Sequence, residues 1–172
     1  MSAPRRPLPV WLKSAAIAGA LALAVGAYTL STRAVAAPQV TFIAIDGHKI
    51  TPESLRGKVV MVNFWATSCA TCVKEMPQMV DTYNKFKGQG LEFVAVAMQY
   101  DAPNYVLNYA QTRQLPFIVA LDSGGDIAKA YGDVVMTPTT FLIGKDGKIL
   151  KRYVGEPDFP ALHALLKTTL AG

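Results

Sequence analysis

The chain has 172 residues, 51% of them apolar and 17% charged, which suits one ordinary domain with an appendage and excludes a disordered chain, a coiled coil or two full domains. Its formal charge of +5 invites a nucleic-acid reading until the charges are located. Residues 1–37 hold Arg5, Arg6, Lys13 and Arg33 and no acid, so the remainder is nearly neutral and carries no basic patch able to release the counterions of a phosphate backbone.

Arg5, Arg6 and Lys13 precede a charge-free apolar run from Ser14 to Leu30, the pattern of an export signal. Counted back to Val10, with Lys13 snorkelling, the run reaches about 21 residues, enough to cross a hydrocarbon core. The positive residues in front of it orient the N-terminus inwards and the globule outwards. Ala34-Val35-Ala36 followed by Ala37 is also a small-residue processing site. The reading adopted is an uncleaved anchor on the periplasmic side of an inner membrane; the alternative is a soluble periplasmic product cleaved near Ala36. Residues 1–37 are expected as the signal or anchor segment and residues 38–172 as the folded domain.

From Pro38 onward, short apolar runs alternate with amphipathic stretches, an α/β pattern. Val40 to Ile45 and His48 to Ile50 flank Asp46-Gly47 as a small hairpin. Thr51-Pro52-Glu53 opens a short helical turn with a Thr cap, closed by Gly57. Lys58 to Phe64 reads as a strand buried on both faces. Cys69 to about Lys87 reads as a helix kinked at Pro77 and ended by Gly88 and Gly90. Leu91 to Met98 is a second buried strand, and Asp101 with Pro103 starts a helix lasting to about Arg113. Phe117 to Leu121 is a short strand, and Asp126 to Tyr131 a short helix. Thr139 to Ile143 and Ile149 to Val154 form a hairpin around Lys145-Asp146-Gly147-Lys148, and Asp158 to Leu170 is a closing helix.

The only cysteines, Cys69 and Cys72, lie in Trp65-Ala66-Thr67-Ser68-Cys69-Ala70-Thr71-Cys72, between the buried strand and the first turn of a helix. There, free backbone N–H groups and the helix dipole stabilise a thiolate. Cys69 is therefore read as the attacking sulfur and Cys72, one turn on, as the resolving one. A purely structural disulfide closing so short a loop would be worth only roughly 2 kcal/mol. Covalent haem attachment needs His where Val73 stands. A metal site would have to recruit His48 or His163, which show no ligand spacing. The bond before Pro138 can be cis; by residue type Met136 reads as core and Glu75 as a solvated helix position.

These residues resemble the thioredoxin superfamily, and more closely its extracytoplasmic TlpA-like and ResA-like disulfide reductases, from Pro38 to Leu170. The resemblance rests on Asn63-Phe64-Trp65 through Cys72, followed by Val73-Lys74-Glu75-Met76-Pro77. It rests also on Thr137-Pro138-Thr139-Thr140-Phe141-Leu142-Ile143 and on the Asp146-Gly147 turn. It implies a thioredoxin fold, a central mixed β-sheet flanked by helices, here with an added N-terminal β-hairpin and signal or anchor helix. It also implies that Cys69 and Cys72 form the redox-active disulfide, with Pro138 cis beside them. Trp65, Met136, Thr137 and Pro138 are then the client-binding residues, with the Thr137 backbone pairing with an extended segment. Glu75 becomes a buried acid that tunes thiol titration and proton transfer. Two departures stand out: Asn63 occupies the place of an Asp in cytoplasmic thioredoxins, and the dipeptide Ala70-Thr71 lacks their Pro.

The expected function is reduction of client disulfides with electrons from a membrane dithiol donor of the DsbD or CcdA type. The resemblance suggests apocytochrome c or a copper-site protein as client. The alternatives are a thiol oxidant or isomerase using the same cysteines, or a copper-binding chaperone. A peroxide-reducing enzyme would need a cysteine that the Pro138-Thr139 loop lacks. No cofactor, resident metal or nucleic acid is expected, and the chain is expected to be a monomer.

Overall fold

A computed structural model describes residues 35–172; the apolar segment over 10–30, with the anchor expected there, lies outside the described residues. Among those described, no helix is long and apolar enough to cross a membrane.

The run Val59–Trp65 is buried at every position, and only the middle of a sheet covered on both faces can accommodate that. This strand, β3, follows a small hairpin, β1 (Phe42–Ile43) and β2 (Lys49–Ile50), and a helical turn, α1 (Pro52–Leu55). After it come α2 (Ala70–Phe86), a 3-10 turn (Lys87–Gln89), β4 (Leu91–Ala97), α3 (Pro103–Thr112), β5 (Ile118–Leu121) and α4 (Asp126–Ala130). The chain then forms β6 (Thr139–Ile143), β7 (Ile149–Val154) and α5 (Phe159–Ala171). The strand order is β5-β4-β3-β6-β7, with β3, β4 and β5 mutually parallel and β6 antiparallel to both β3 and β7.

Alternation along β3 divides the core. Val59, Met61 and Trp65 pack with Met76, Met79 and Phe86 of α2, Val106 of α3, and Leu162 and Leu166 of α5. Val60, Val62 and Phe64 face the other way, towards Phe42 of the hairpin, Ile127 of α4, Tyr131 and Phe141. The hairpin pairs Phe42 with Ile50 and turns through Gly47, whose φ of +88° suits glycine. It covers the β5 edge, the Ile45 N–H donating to the Val119 carbonyl at 2.8 Å, and so protects a strand that would otherwise be open to pairing. At the other edge, Ile149 donates to Val35 and Ala37 to Gly147, both at 2.8 Å.

Three local expectations are corrected. Thr51 occupies the N-cap of α1 without a side-chain hydrogen bond; its carbonyl instead accepts from the Ser54 hydroxyl at 2.7 Å. The helix α2 is not interrupted at Pro77, because proline removes one rung while buried Met76 and Met79 keep both halves docked. Asp101 does not cap α3: the N-cap is Ala102, and the Asp101 carboxylate is used elsewhere.

Candidate active site

β3 delivers Trp65 and Ala66, both fully buried, to the end of the sheet, where the chain must turn into α2. Cys69 is the N-cap of that helix, in extended conformation (φ −88°, ψ 105°). Its Sγ accepts from the Cys72 N–H at 3.2 Å, and its carbonyl takes the Val73 N–H at 3.0 Å. One of the free donors at the start of a 17-residue helix, the Cys72 N–H, therefore points at this sulfur, and with the helix dipole it favours a thiolate there once the pair is reduced. Cys69 and Cys72 are joined as a disulfide with Cα atoms 5.2 Å apart. The two sulfurs are not equivalent: Cys69 is half-buried and Cys72 is 0% exposed. A partner can reach only the first.

The turn leading to Cys69 is held from the side. Asp101, buried after β4, accepts from both the backbone N–H and the hydroxyl of Thr67, each at 2.6 Å. Sequence reading missed this role, because an Asp two residues before a Pro carries the signature of a helix start.

In the second turn of α2, Glu75 is 1% exposed, not solvated as its residue type suggests. Burial pushes its carboxyl up to about 7, against a hydrogen bond from Asn63 that favours the ionised form and with a smaller upward push from Glu156. The Asn63 Nδ2 donates at 3.2 Å to Glu75 Oε1 and at 2.9 Å to Thr140 Oγ1. Asn63 Oδ1, Glu75 Oε2 and Trp65 Nε1 have no partner. Lys74, beside Glu75 in sequence, forms an ion pair with Glu156 at 2.8 Å.

The peptide bond between Thr137 and Pro138 is cis. The register pairs Phe64 with Thr139 across β3 and β6, so Pro138 sits at the same end of the sheet as Trp65 and the cysteine turn. Its carbonyl accepts from Gly155 at 2.8 Å, and the Thr139 hydroxyl donates to the Met136 carbonyl at 2.7 Å. The Thr137 hydroxyl lies 3.3 Å from that of Tyr100. Met136 is not core: it is 62% exposed, next to Val135 at 81%, because the loop that carries it stands off the sheet. Trp65, expected among the client-contacting residues, is 0% exposed and packs against Tyr109 at 5.2 Å. It supports the turn from below and offers a client no surface.

His48 is exposed and paired with Asp46 at 3.0 Å. His163 meets the Thr82 hydroxyl at 2.8 Å, and burial followed by Lys85 and Lys167 lowers its basicity. Among the described residues no group of three or more His, Cys, Asp or Glu is arranged to hold a metal ion.

What this part of the chain can do chemically is trade two electrons between a dithiol and a disulfide. In a sheet of this order, with the pair at the start of the helix after the central strand, that makes it a thioredoxin-fold thiol-disulfide oxidoreductase. The chain belongs to the Redoxin family, whose model matches residues 32–166, and within the thioredoxin superfamily its relatives are TlpA/ResA-like. It is 40% identical over 131 residues to the thiol-disulfide oxidoreductase ResA of Bacillus thuringiensis, covering 76% of this chain and 75% of that protein. With ResA of Bacillus subtilis it shares 38% over 127 residues, 74% and 70% of the two chains. A crystal structure of a thioredoxin-family thiol:disulfide interchange protein from Chlorobium tepidum superposes with a TM-score of 0.74 at 28% identity, over 81% of this chain and 98% of that one.

Proposed function

We propose that the protein is a reductant: it passes electrons from a membrane dithiol donor of the DsbD or CcdA type to oxidised cysteines of client proteins outside the cytoplasm. Residues 10–30 hold it to the inner membrane as an uncleaved anchor. The clients are apocytochrome c or copper-site proteins. The observation that carries the direction is the burial of Cys72 on the same helix as the buried acid Glu75. A thiolate at Cys72 is disfavoured in such surroundings, which opposes the helix's stabilisation of the Cys69 thiolate, and a dithiol whose reduced form is the less stabilised gives up its electrons more readily.

In the forward cycle the Cys69 thiolate attacks one sulfur of the client disulfide, whose other sulfur leaves as thiolate and takes a proton from solvent. Glu75 then accepts the proton of the Cys72 thiol, and the Cys72 sulfur attacks Cys69 in the mixed disulfide. The second client thiolate is expelled and protonated, and the Cys69–Cys72 disulfide is restored. Two electrons have moved to the client. The donor dithiol recharges the pair by the reverse chemistry, with Glu75 returning its proton to Cys72. Met136, Thr137 and Pro138 guide the client segment onto Cys69.

The test is the reduction potential of the full chain, equilibrated in glutathione and dithiothreitol buffers. A value below about −220 mV supports the reductant, and one near about −120 mV reverses the direction. Cys69→Ala is expected to abolish turnover, and Cys72→Ala to accumulate mixed disulfides with clients, read on non-reducing gels; turnover surviving in Cys69→Ala would sink the mechanism.

A further inference from the structure

Asn63 is fully buried in the central strand and touches two groups on two other elements, Glu75 of α2 and Thr140 of β6. Both contacts use its Nδ2, which has two hydrogens to give. Its Oδ1 has nothing to accept from, and one oxygen of Glu75 is equally without a partner. Thr140 is the cross-strand register partner of Asn63, so the pair is fixed by the sheet itself. A buried polar atom left unpaired lowers stability, and two such atoms within one contact cluster call for a reason.

We propose that Asn63 is a two-way hydrogen-bond switch that follows the protonation of Glu75 by turning its amide over. In the setting seen, Nδ2 donates to Glu75 Oε1 and to Thr140 Oγ1, which gives one oxygen of a carboxylate that can only accept its donor. A protonated carboxyl has an O–H to place and needs an acceptor. Turning the amide by half a revolution exchanges Nδ2 for the isosteric Oδ1. The amide oxygen then takes the Glu75 O–H on one side and the Thr140 hydroxyl hydrogen on the other. Thr140 changes from acceptor to donor, and its hydroxyl can do either.

No other side chain of this size does both. An Asp here would set a second carboxyl against Glu75, and one of the two would have to stay protonated. A Leu would leave Glu75 with no partner in either state. The other charged groups around Glu75 are Glu156, whose charge acts on it, and Lys74, held by Glu156; both lie towards the β7–α5 loop. Asn63 alone is in hydrogen-bond contact with the Glu75 carboxyl among the described residues. Because burial holds that carboxyl near neutral pH, both settings are populated where the protein works. The inference depends on the reading of Glu75 as proton acceptor for its use in catalysis, but the switch itself does not.

The test follows the Asn63 side-chain amide by nitrogen NMR in the 15N-labelled full chain in detergent, across the pH range in which Glu75 titrates. The Asn63 resonance should move between two limits with the midpoint of the Glu75 carboxyl and stay still in Glu75→Gln. Thr140→Val, which keeps the shape and removes the hydroxyl, should reduce the amplitude. Asn63→Leu, if it folds, removes the partner of both states, and because the bond to the charged form is the stronger it should raise the Glu75 midpoint by less than about one pH unit. An Asn63 amide that does not move while Glu75 titrates overturns the switch. If the amide follows Glu75 but Glu75→Gln leaves the pH profile of turnover unaltered, the switch stands and the catalytic reading of Glu75 fails.

Discussion

The two faces of the central sheet are made from alternate residues of the same strands and are equally buried, yet they differ in kind. On the face turned from α2, Phe64, Tyr131 and Phe141 stack edge to face with centroids 5.0 to 6.0 Å apart, among Val60, Val62, Val94 and Val96. Its one buried hydroxyl from the sheet, Thr139, is satisfied by the Met136 carbonyl. On the α2 face, Asn63, Glu75 and Thr140 are buried, as is Cys72. All three unpaired buried side-chain atoms among the described residues belong to Asn63, Trp65 and Glu75. Polar groups left unpaired lower stability, and here they are confined to the face that handles thiols. One face holds the fold together, and the other gives up stability for chemistry.

The largest effect that can break this division is expected from Phe64→Ala. Removing the ring that touches both Tyr131 and Phe141 should cost about 3–5 kcal/mol in denaturant unfolding, while the reduction potential and the pH profile of turnover stay where they are. If either of those moves with it, the faces are coupled and the division is wrong.

Glu75→Gln should act in the opposite sense. The Glu75 carboxyl sits at about 7 in the folded protein against an ordinary 4.5, so between those values the native state binds more protons than the unfolded one. Its contribution is fully present below about pH 4.5 and is lost as the pH rises through about 7. The glutamine variant lacks this loss. Urea unfolding should find the two proteins similar at pH 4.5 and the variant more stable at pH 8, by up to about 3 kcal/mol. The pH dependence of turnover should flatten at the same time. A wild-type stability that does not fall between those two pH values would show that the carboxyl is not strained by burial.

What could be read from the sequence follows the range of the interaction. The cysteine turn, the β6–β7 hairpin and the start of α5, where Asp158 accepts from Ala161 at 2.9 Å, are set by neighbours in the chain, and each was legible. The Asp101 clamp joins residues 34 apart and the Asn63–Thr140 contact residues 77 apart. No local pattern carries a cross-strand register, so these were not. The residue-type reading of Met136 as core failed for another reason, while its place among the client-binding residues came from the family resemblance: residue type predicts the average environment, and the loop before the cis-proline is not average. The missed clamp makes its own prediction. Asp101→Ala should cost about 1–3 kcal/mol through the two lost bonds to Thr67. Turnover should fall with it, because the turn that presents Cys69 loses its lateral support; turnover unaffected at full occupancy of the fold would make the clamp purely structural.

The smallest expected effect tests how finely the α2 face is tuned. Lys74 and Glu156 pair at the surface, and breaking such a pair should change stability by less than about 1 kcal/mol. Glu156 acts on Glu75 directly, and Lys74 is expected to act on it through its pairing with Glu156. The Glu156 charge helps to hold the Glu75 carboxyl up, so Glu156→Gln should bring its midpoint down and carry the fall in stability to lower pH. Lys74→Ala removes the cation that offsets Glu156 and should move the midpoint up. Both displacements should shrink in high salt, since the pair is open to solvent, while the much larger effect of burial should not. Midpoints that move in the same direction in both variants would mean that the substitutions act by repacking the loop and not by charge.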